Sequence, residues 1–211
     1  MTRGGAGRPA RKRRNQYHHG DLRRALIDEA ARVIGARGVE HLTLRAVGQQ
    51  LGVSRTALYR HFADKASLLA AVAAEGFRQL RTDLAAAWEE RGGGRAGMDA
   101  MGIAYVKFAV ERPSYYRVMF GGLVDAERVR CDELVEHATA AFQVLEDAVI
   151  AQQRDGLVHA DDPAELSRYI WATVHGIAML GIDGQLRHEA GGAEALMRFA
   201  NERLRTGIAL P

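Results

Sequence analysis

The chain of 211 residues carries a single cysteine, Cys131, so neither an intramolecular disulfide nor a cysteine-rich zinc site can be built. Its neighbours Asp132 and Glu133 deny it the positive surroundings that lower a thiol pKa and speak against a redox sensor. No run approaches the roughly 18 consecutive apolar residues of a membrane span. No apolar segment follows the basic N-terminus as a signal peptide would require, and a cytoplasmic location without membrane attachment is expected. Convincing strand alternation is missing, as is any repeat of the solenoid kind. No grouping of nucleophile, base and orienting acid stands out, and the carboxylates fall mostly on polar helix faces, which argues against an enzyme. His18 and His19 are adjacent and point apart on a helix, so no metal site is expected, and no cofactor.

What is present is a charge asymmetry. The whole chain is only +3, but residues 1–66 hold 14 Lys/Arg against 5 Asp/Glu, leaving 15 against 21 in the remainder. A module of net +9 joined to one of −6 pairs a surface for a polyanion with a second, acidic unit. Nucleic acid fits the first. The segment before Tyr17 is rich in Gly and Arg, lacks apolar periodicity and contains Arg11, Lys12, Arg13 and Arg14. It reads as a disordered basic arm over 1–16, able to displace counterions from phosphates or to enter a minor groove.

The most informative stretch is LTLRAVGQQLGVSRTALYRHFADK, from Leu42 to Lys65. Leu44, Val47 and Leu51 recur at helical spacing behind Thr43 as N-cap, and Gly52 suits a left-handed residue that ends the helix. Ser54 caps a second short helix, whose Leu58 and Phe62 form an i, i+4 apolar pair. Two helices joined by so tight a turn make a helix-turn-helix, in which the first residues of the second helix meet base edges and the flanks meet phosphates. Arg55 is placed to read guanine, and Thr56 and Ala57 to touch a base edge or thymine methyl. Tyr59, Arg60 and His61 are placed for the DNA backbone. Asp64 caps a third helix, bringing Lys65 beside a phosphate.

Helical periodicity continues on both sides. Leu22, Leu26, Ala30 and Val33 form the stripe of a helix over 22–37 closed by Gly38, completing a three-helix DNA-binding unit over 17–66. A long amphipathic segment from Asp64 towards Arg91, carrying Leu68, Leu69, Val72, Phe77, Leu80, Leu84 and Trp88, leads into a larger regulatory unit over 67–211. The stretch 92–97 matches G-x-G-x-x-G by letter, but a charged helix precedes it where a nucleotide fold needs a strand, so it is read as a loop. Met98, Met101, Tyr105 and Phe108 recur at helical spacing up to Pro113, which opens a short aromatic helix. A long helix is expected over 125–155 and another behind Asp162 and Pro163 as N-cap and N1. In the latter, Tyr169 to Ile182 is apolar almost all round and must be buried on more than one side. A last helix carries Leu196, Phe199 and Leu204. The fold class is all-α.

Aromatic and methionine side chains make adaptable apolar walls, and Trp88, Tyr105, Phe108, Tyr115, Met119, Phe120, Trp171, His175 and Met179 are the candidates for a small-molecule pocket. Core packing accounts for the same residue types. His175, one turn after Trp171, needs a hydrogen-bond partner, either a ligand or a neighbouring protein group.

The block TLRAVGQQLGVSRTALYRHFADKASLL resembles the DNA-binding signature of TetR-type transcriptional regulators, with its Gly-Val turn, its Leu-Tyr pair followed by an aromatic, and the Lys that opens the connecting helix. Trp171, His175 and Gly176 in WATVHG resemble the Trp-His-Gly element of one C-terminal domain type in that family. The resemblance implies a homodimer in which each subunit joins a three-helix reading head to a helical ligand-binding domain. Base reading would fall to Arg45, Arg55, Thr56, Ala57 and Tyr59, and phosphate binding to Thr43, His61 and Lys65. The last two long helices, 163–183 and 193–206, would pair with their copies in a four-helix bundle, with Ile170, Val174, Ile177, Leu196 and Phe199 at the interface.

A two-fold dimer reads a pseudo-palindrome and multiplies the specificity of one short recognition helix. The expected function is a repressor released from double-stranded operator DNA by a small, partly apolar ligand. A ligand-independent architectural DNA binder is the rival, although the aromatic content of the acidic unit exceeds what dimerisation requires.

Overall fold

The computed structural model describes residues 19–124, 131–188 and 190–208, and over these the chain is all-helical. Helices α1 (His19–Arg37), α2 (Leu44–Gln50) and α3 (Arg55–Tyr59) form the N-terminal group, with a 3-10 turn at Val39–His41 between the first two. There follow α4 (Lys65–Glu90), α5 (Gly94–Glu111), α6 (Pro113–Phe120), α7 (Asp132–Arg154), α8 (Pro163–Ile182) and α9 (Gly192–Ile208). The basic arm, including Arg11, Lys12, Arg13 and Arg14, lies outside the described residues.

The helix boundaries follow local chemistry. Thr43, Ser54 and Asp64 each accept a backbone N–H from three residues ahead, at 3.1, 3.2 and 2.7 Å. The Ser67 hydroxyl accepts in turn from the Asp64 N–H at 3.2 Å, a reciprocal capping box. Asp162 caps α8 ahead of Pro163, whose missing N–H costs nothing in the first turn.

Two expectations are corrected. Residues 94–97 are not loop but the first turn of α5, because the absence of a side chain at Gly97 lets α5 start directly against α4: a Cβ there would stand 2.8 Å from the Trp88 ring. The helix expected from Asp125 begins instead at Asp132, behind Cys131; residues 125–130 lie outside the described set.

α4 belongs to two hydrophobic cores. Its first half, Leu68 to Ala74, packs with Leu26, Ala30, Leu42, Val47, Leu58 and Phe62 of the N-terminal group. Leu80 and Leu84 enter a second core with α5, α6, α8 and α9. Burying a leucine fully is worth about 1.5–3 kcal/mol, so each half of α4 is firmly held by a different partner. The changeover falls at Glu75 and Gly76. A Cβ on Gly76 would come within 2.5 Å of Met119 Sδ, so glycine lets α6 lie directly on α4. Short α6 is wedged at this joint: Val118 belongs to the first core and Tyr116 to the second.

Candidate nucleic-acid interface and ligand cavity

The turn between α2 and α3 is made by Gly52, at φ +65°, where a side chain would be strained. The Val53 N–H returns to Gly48 O at 3.0 Å, and Gly48 lies under Leu58, where a Cβ would be 3.3 Å from that side chain. The two helices are thus locked at close range, with Leu58 buried between them. Arg45, Arg55, Thr56, Tyr59 and Arg60 are exposed, as are the caps Thr43 and Ser54. Ala57, His61 and Lys65 are half-buried, and Ala57 packs partly onto the core. The Arg55 guanidinium lies 5.5 Å from the centre of the Tyr59 ring, a cation–π contact that orients it along α3. Lys65 Nζ donates to Val39 O at 2.6 Å, so its ammonium is tethered to the turn after α1.

The larger helical unit forms a cavity of about 270 Å³ between α4, α5, α7, α8 and α9, larger than the roughly 150 Å³ apolar cavity that takes up benzene. One end is aromatic: Phe120 lies between Phe77, at 5.3 Å between ring centres, and Trp171, at 6.2 Å, and Phe142 meets Trp171 at 6.3 Å. Of the nine pocket candidates, Tyr105, Phe120 and Trp171 line the cavity. Phe108 is core, under the Arg112 guanidinium, and Trp88 closes on Gly93 and Gly97. Tyr115 and Met119 turn to the α4 joint, and Met179 packs onto the second core from its edge. His175 stands behind the wall, its Nδ1 2.7 Å from the Tyr116 hydroxyl and 3.4 Å from that of Tyr105. A protein group therefore satisfies it.

These side chains form a buried relay. Trp171 Nε1 donates to the Tyr105 hydroxyl at 3.1 Å, and the hydroxyls of Tyr105 and Tyr116 are 3.0 Å apart. Burial pushes Tyr105 up to about 12 and Tyr116 further, so both remain neutral donors; it pushes the His175 imidazole down, favouring the neutral ring. At the aromatic end of the cavity Tyr105 offers a hydroxyl among largely apolar side chains.

Lining residues that the sequence did not single out for a pocket include Phe142, Gln152, Met197, Asn201, Arg95 and Arg205. Met98 and Met101 also line it and carry the same helical spacing as Tyr105, which was the available signal. On α8, Ile170, Val174 and Ile177 are buried in the subunit's own cores, because the helix is packed on that side by α5 and α7. Leu196 is half-buried on the same core. The outward apolar residues are Tyr169 and Leu180 on α8 and Phe199 on α9, at 55%, 43% and 57% exposure. Among the described residues no cluster of three or more His, Cys, Asp or Glu is placed to hold a metal, and no helix is long and apolar enough to cross a membrane.

Residues 26–72 match the model of bacterial regulatory proteins of the tetR family, and residues 98–204 match the tetracyclin repressor-like C-terminal domain. The chain is 32% identical over 97 residues to YobS, an uncharacterised HTH-type transcriptional regulator of Bacillus subtilis, covering 46% of this chain and 50% of that one. It is 31% identical over 108 residues to the HTH-type transcriptional regulator BetI of Agrobacterium fabrum, covering 50% and 52%. The match thus spans about half the length of these curated relatives. A solved structure of a protein of unknown function from Rhodococcus sp. RHA1 superposes with a TM-score of 0.81 at 30% identity, covering 93% of this chain and all of that one. With a helix-turn-helix head, a helical C-terminal domain and both halves matched, the chain belongs to the TetR family of transcriptional regulators.

Proposed function

We propose that this chain is a repressor that binds a pseudo-palindromic operator as a homodimer in the cytoplasm and is released when a small molecule enters the α4–α9 cavity. The observation that carries this reading is a single short helix, α6, which has one face on each unit. Phe120 lines the cavity, while Tyr115 and Met119 lie against α4 at Gly76, and the Tyr115 hydroxyl donates to Asp28 of α1. A ligand that displaces Phe120 moves the wedge between body and head, and α4 carries the shift to α3. Coupling of about 1–3 kcal/mol would lower operator affinity roughly 5–150-fold. A ligand-independent architectural protein has no use for such a cavity.

At the operator Arg55 reads a base edge with Thr56 and Ala57, Arg45 and Tyr59 extend the readout, and Thr43, Ser54, Arg60 and His61 meet the backbone. Lys65 joins them on exchanging Val39 O for a phosphate. The arm residues Arg11, Lys12, Arg13 and Arg14 add electrostatic grip. Dimerisation uses the outward stripe Tyr169, Ala172, Gly176 and Leu180 of α8 with Phe199 of α9; Gly176, with open space where its side chain would be, lets a partner helix approach. Trp171 and His175, both in the Tyr105–Tyr116 relay, support placing the C-terminal domain in the Trp-His-Gly type.

The test is selection of bound duplexes from a randomised pool, followed by the mass of the complex in solution. Enrichment of a two-fold sequence bound by an even number of subunits is expected. Enrichment of no sequence, or tight binding by a single subunit, would refute the reading.

A further inference from the structure

The cavity has two chemically different ends. Six residues of α5 separate Tyr105 at the aromatic end from Asp99, and ten residues of α7 separate Phe142 from Gln152, a span of about 9–15 Å at the helical rise. The far end is polar. Arg205 donates to Asp99 Oδ2 at 2.9 Å and Asn201 Nδ2 to Asp99 O at 3.0 Å, so the one carboxylate there is already paired. Arg95 also lines this end and has no acidic partner among the described residues. Gln152 is only 4% exposed and, among the described residues, its side-chain amide makes no hydrogen bond. No fully enclosed side-chain polar atom among the described residues lacks a partner, so the Gln152 amide spends its residual exposure on the cavity. That amide is thus free to bond a ligand atom inside the cavity.

We propose that the ligand is an elongated monocarboxylate, its apolar body along Met98, Met101 and Leu145 towards Phe142 and Trp171, its carboxylate between Gln152, Arg95 and Arg205. The net positive charge left by two arginines and one aspartate selects an anion over a cation. The Gln152 amide can donate an N–H to a carboxylate oxygen, and a molecule as short as benzoate cannot bridge the two ends. The proposal rests on the cavity being the effector site.

The test compares decanoate, decanol, decyltrimethylammonium and benzoate, each at submillimolar concentration with the full chain, by thermal shift and calorimetry. Decanoate is expected to raise the melting temperature most and to bind at least about tenfold tighter than decanol, the worth of one charge-assisted hydrogen bond. Gln152→Leu, close in size, and Arg95→Gln should each weaken decanoate by a similar factor and leave decanol unchanged. Equal binding of decanoate and decanol, or tighter decyltrimethylammonium, would overturn the carboxylate assignment while leaving the cavity a ligand site. Failure of all four to bind, with Ala141→Leu raising stability and leaving operator affinity intact, would overturn both.

Discussion

The Tyr115 hydroxyl donates to Asp28 Oδ1 at 3.0 Å, tying α6 to α1 of the N-terminal helix group. Arg24, one turn before Asp28, bonds both that carboxylate and Glu75 on α4, at 3.1 Å in each case. Burial would raise the Glu75 carboxyl, but the hydrogen bonds from Arg78 and Gln79 and the charges of Arg24 and Arg78 outweigh it and hold the group below the usual carboxylate range. Three helices thus meet in one polar network at the changeover between the two cores. A double-mutant cycle of Tyr115→Phe and Asp28→Asn should give a coupling energy of about 0.5–1.5 kcal/mol in urea unfolding. Asp28 is half exposed, which places the value near the lower bound. Strict additivity would mean that α6 and the head are not linked through this bond.

Gly52 isolates the cost of backbone conformation. Its φ is +65° and no atom lies within 4 Å of where a Cβ would be, so a substitution meets strain without a clash. Gly52→Ala is expected to destabilise by about 1–2 kcal/mol, and Gly52→Asn by less, because asparagine tolerates the left-handed region. Equal losses in chemical denaturation would point to a steric cause instead.

The head was legible because its signals are local. Thr43, Ser54, Gly52 and Asp64 each fix a boundary within a few residues, and each stands where its chemistry predicts. The cavity was legible only in part. Aromatic content identified Tyr105, Phe120 and Trp171, but which face of α8 turns inward depends on α5 and α7 packing against it, so Ile170 and Val174 could not be distinguished from Tyr169 and Leu180 by hydropathy. Gln152 and Arg95 look like ordinary helix-surface residues in sequence; the placement of α7 against α5 brings them to one cavity end.

Arg55 is exposed at the first position of α3 and steered by Tyr59. Arg55→Ala should cost about 1–3 kcal/mol of operator affinity and relax preference at one base-pair position. Uniform weakening across sequences, measured by competition with substituted duplexes, would reassign the side chain to phosphate.

Deleting residues 1–14 removes Arg11, Lys12, Arg13 and Arg14 together. Every phosphate that the arm neutralises adds about 0.9 to the steepness with which log affinity falls against log salt, so the truncated chain should show a shallower line. A slope unchanged by the deletion, in titrations over a range of salt, would leave the arm without a role in binding.

His175 supplies a pH dependence with a definite sign. Burial depresses its folded-state pKa from 6.5, and the groups that face it, Tyr105, Tyr116, Phe120 and Trp171, carry no charge to offset this. The unfolded chain therefore binds the proton more readily than the folded one. Stability contributed by the neutral ring is complete above the unfolded value and is lost as pH falls from about 6.5 through the folded pKa. The melting temperature should fall as pH drops below about 6.5, and His175→Gln, which keeps a polar partner for Tyr116 but cannot titrate, should flatten that part of the curve at some cost in stability at neutral pH. An identical slope in the variant would remove His175 as its source; Glu75 acts in a separate window, its stabilising charge being lost only as pH drops below about 4.5.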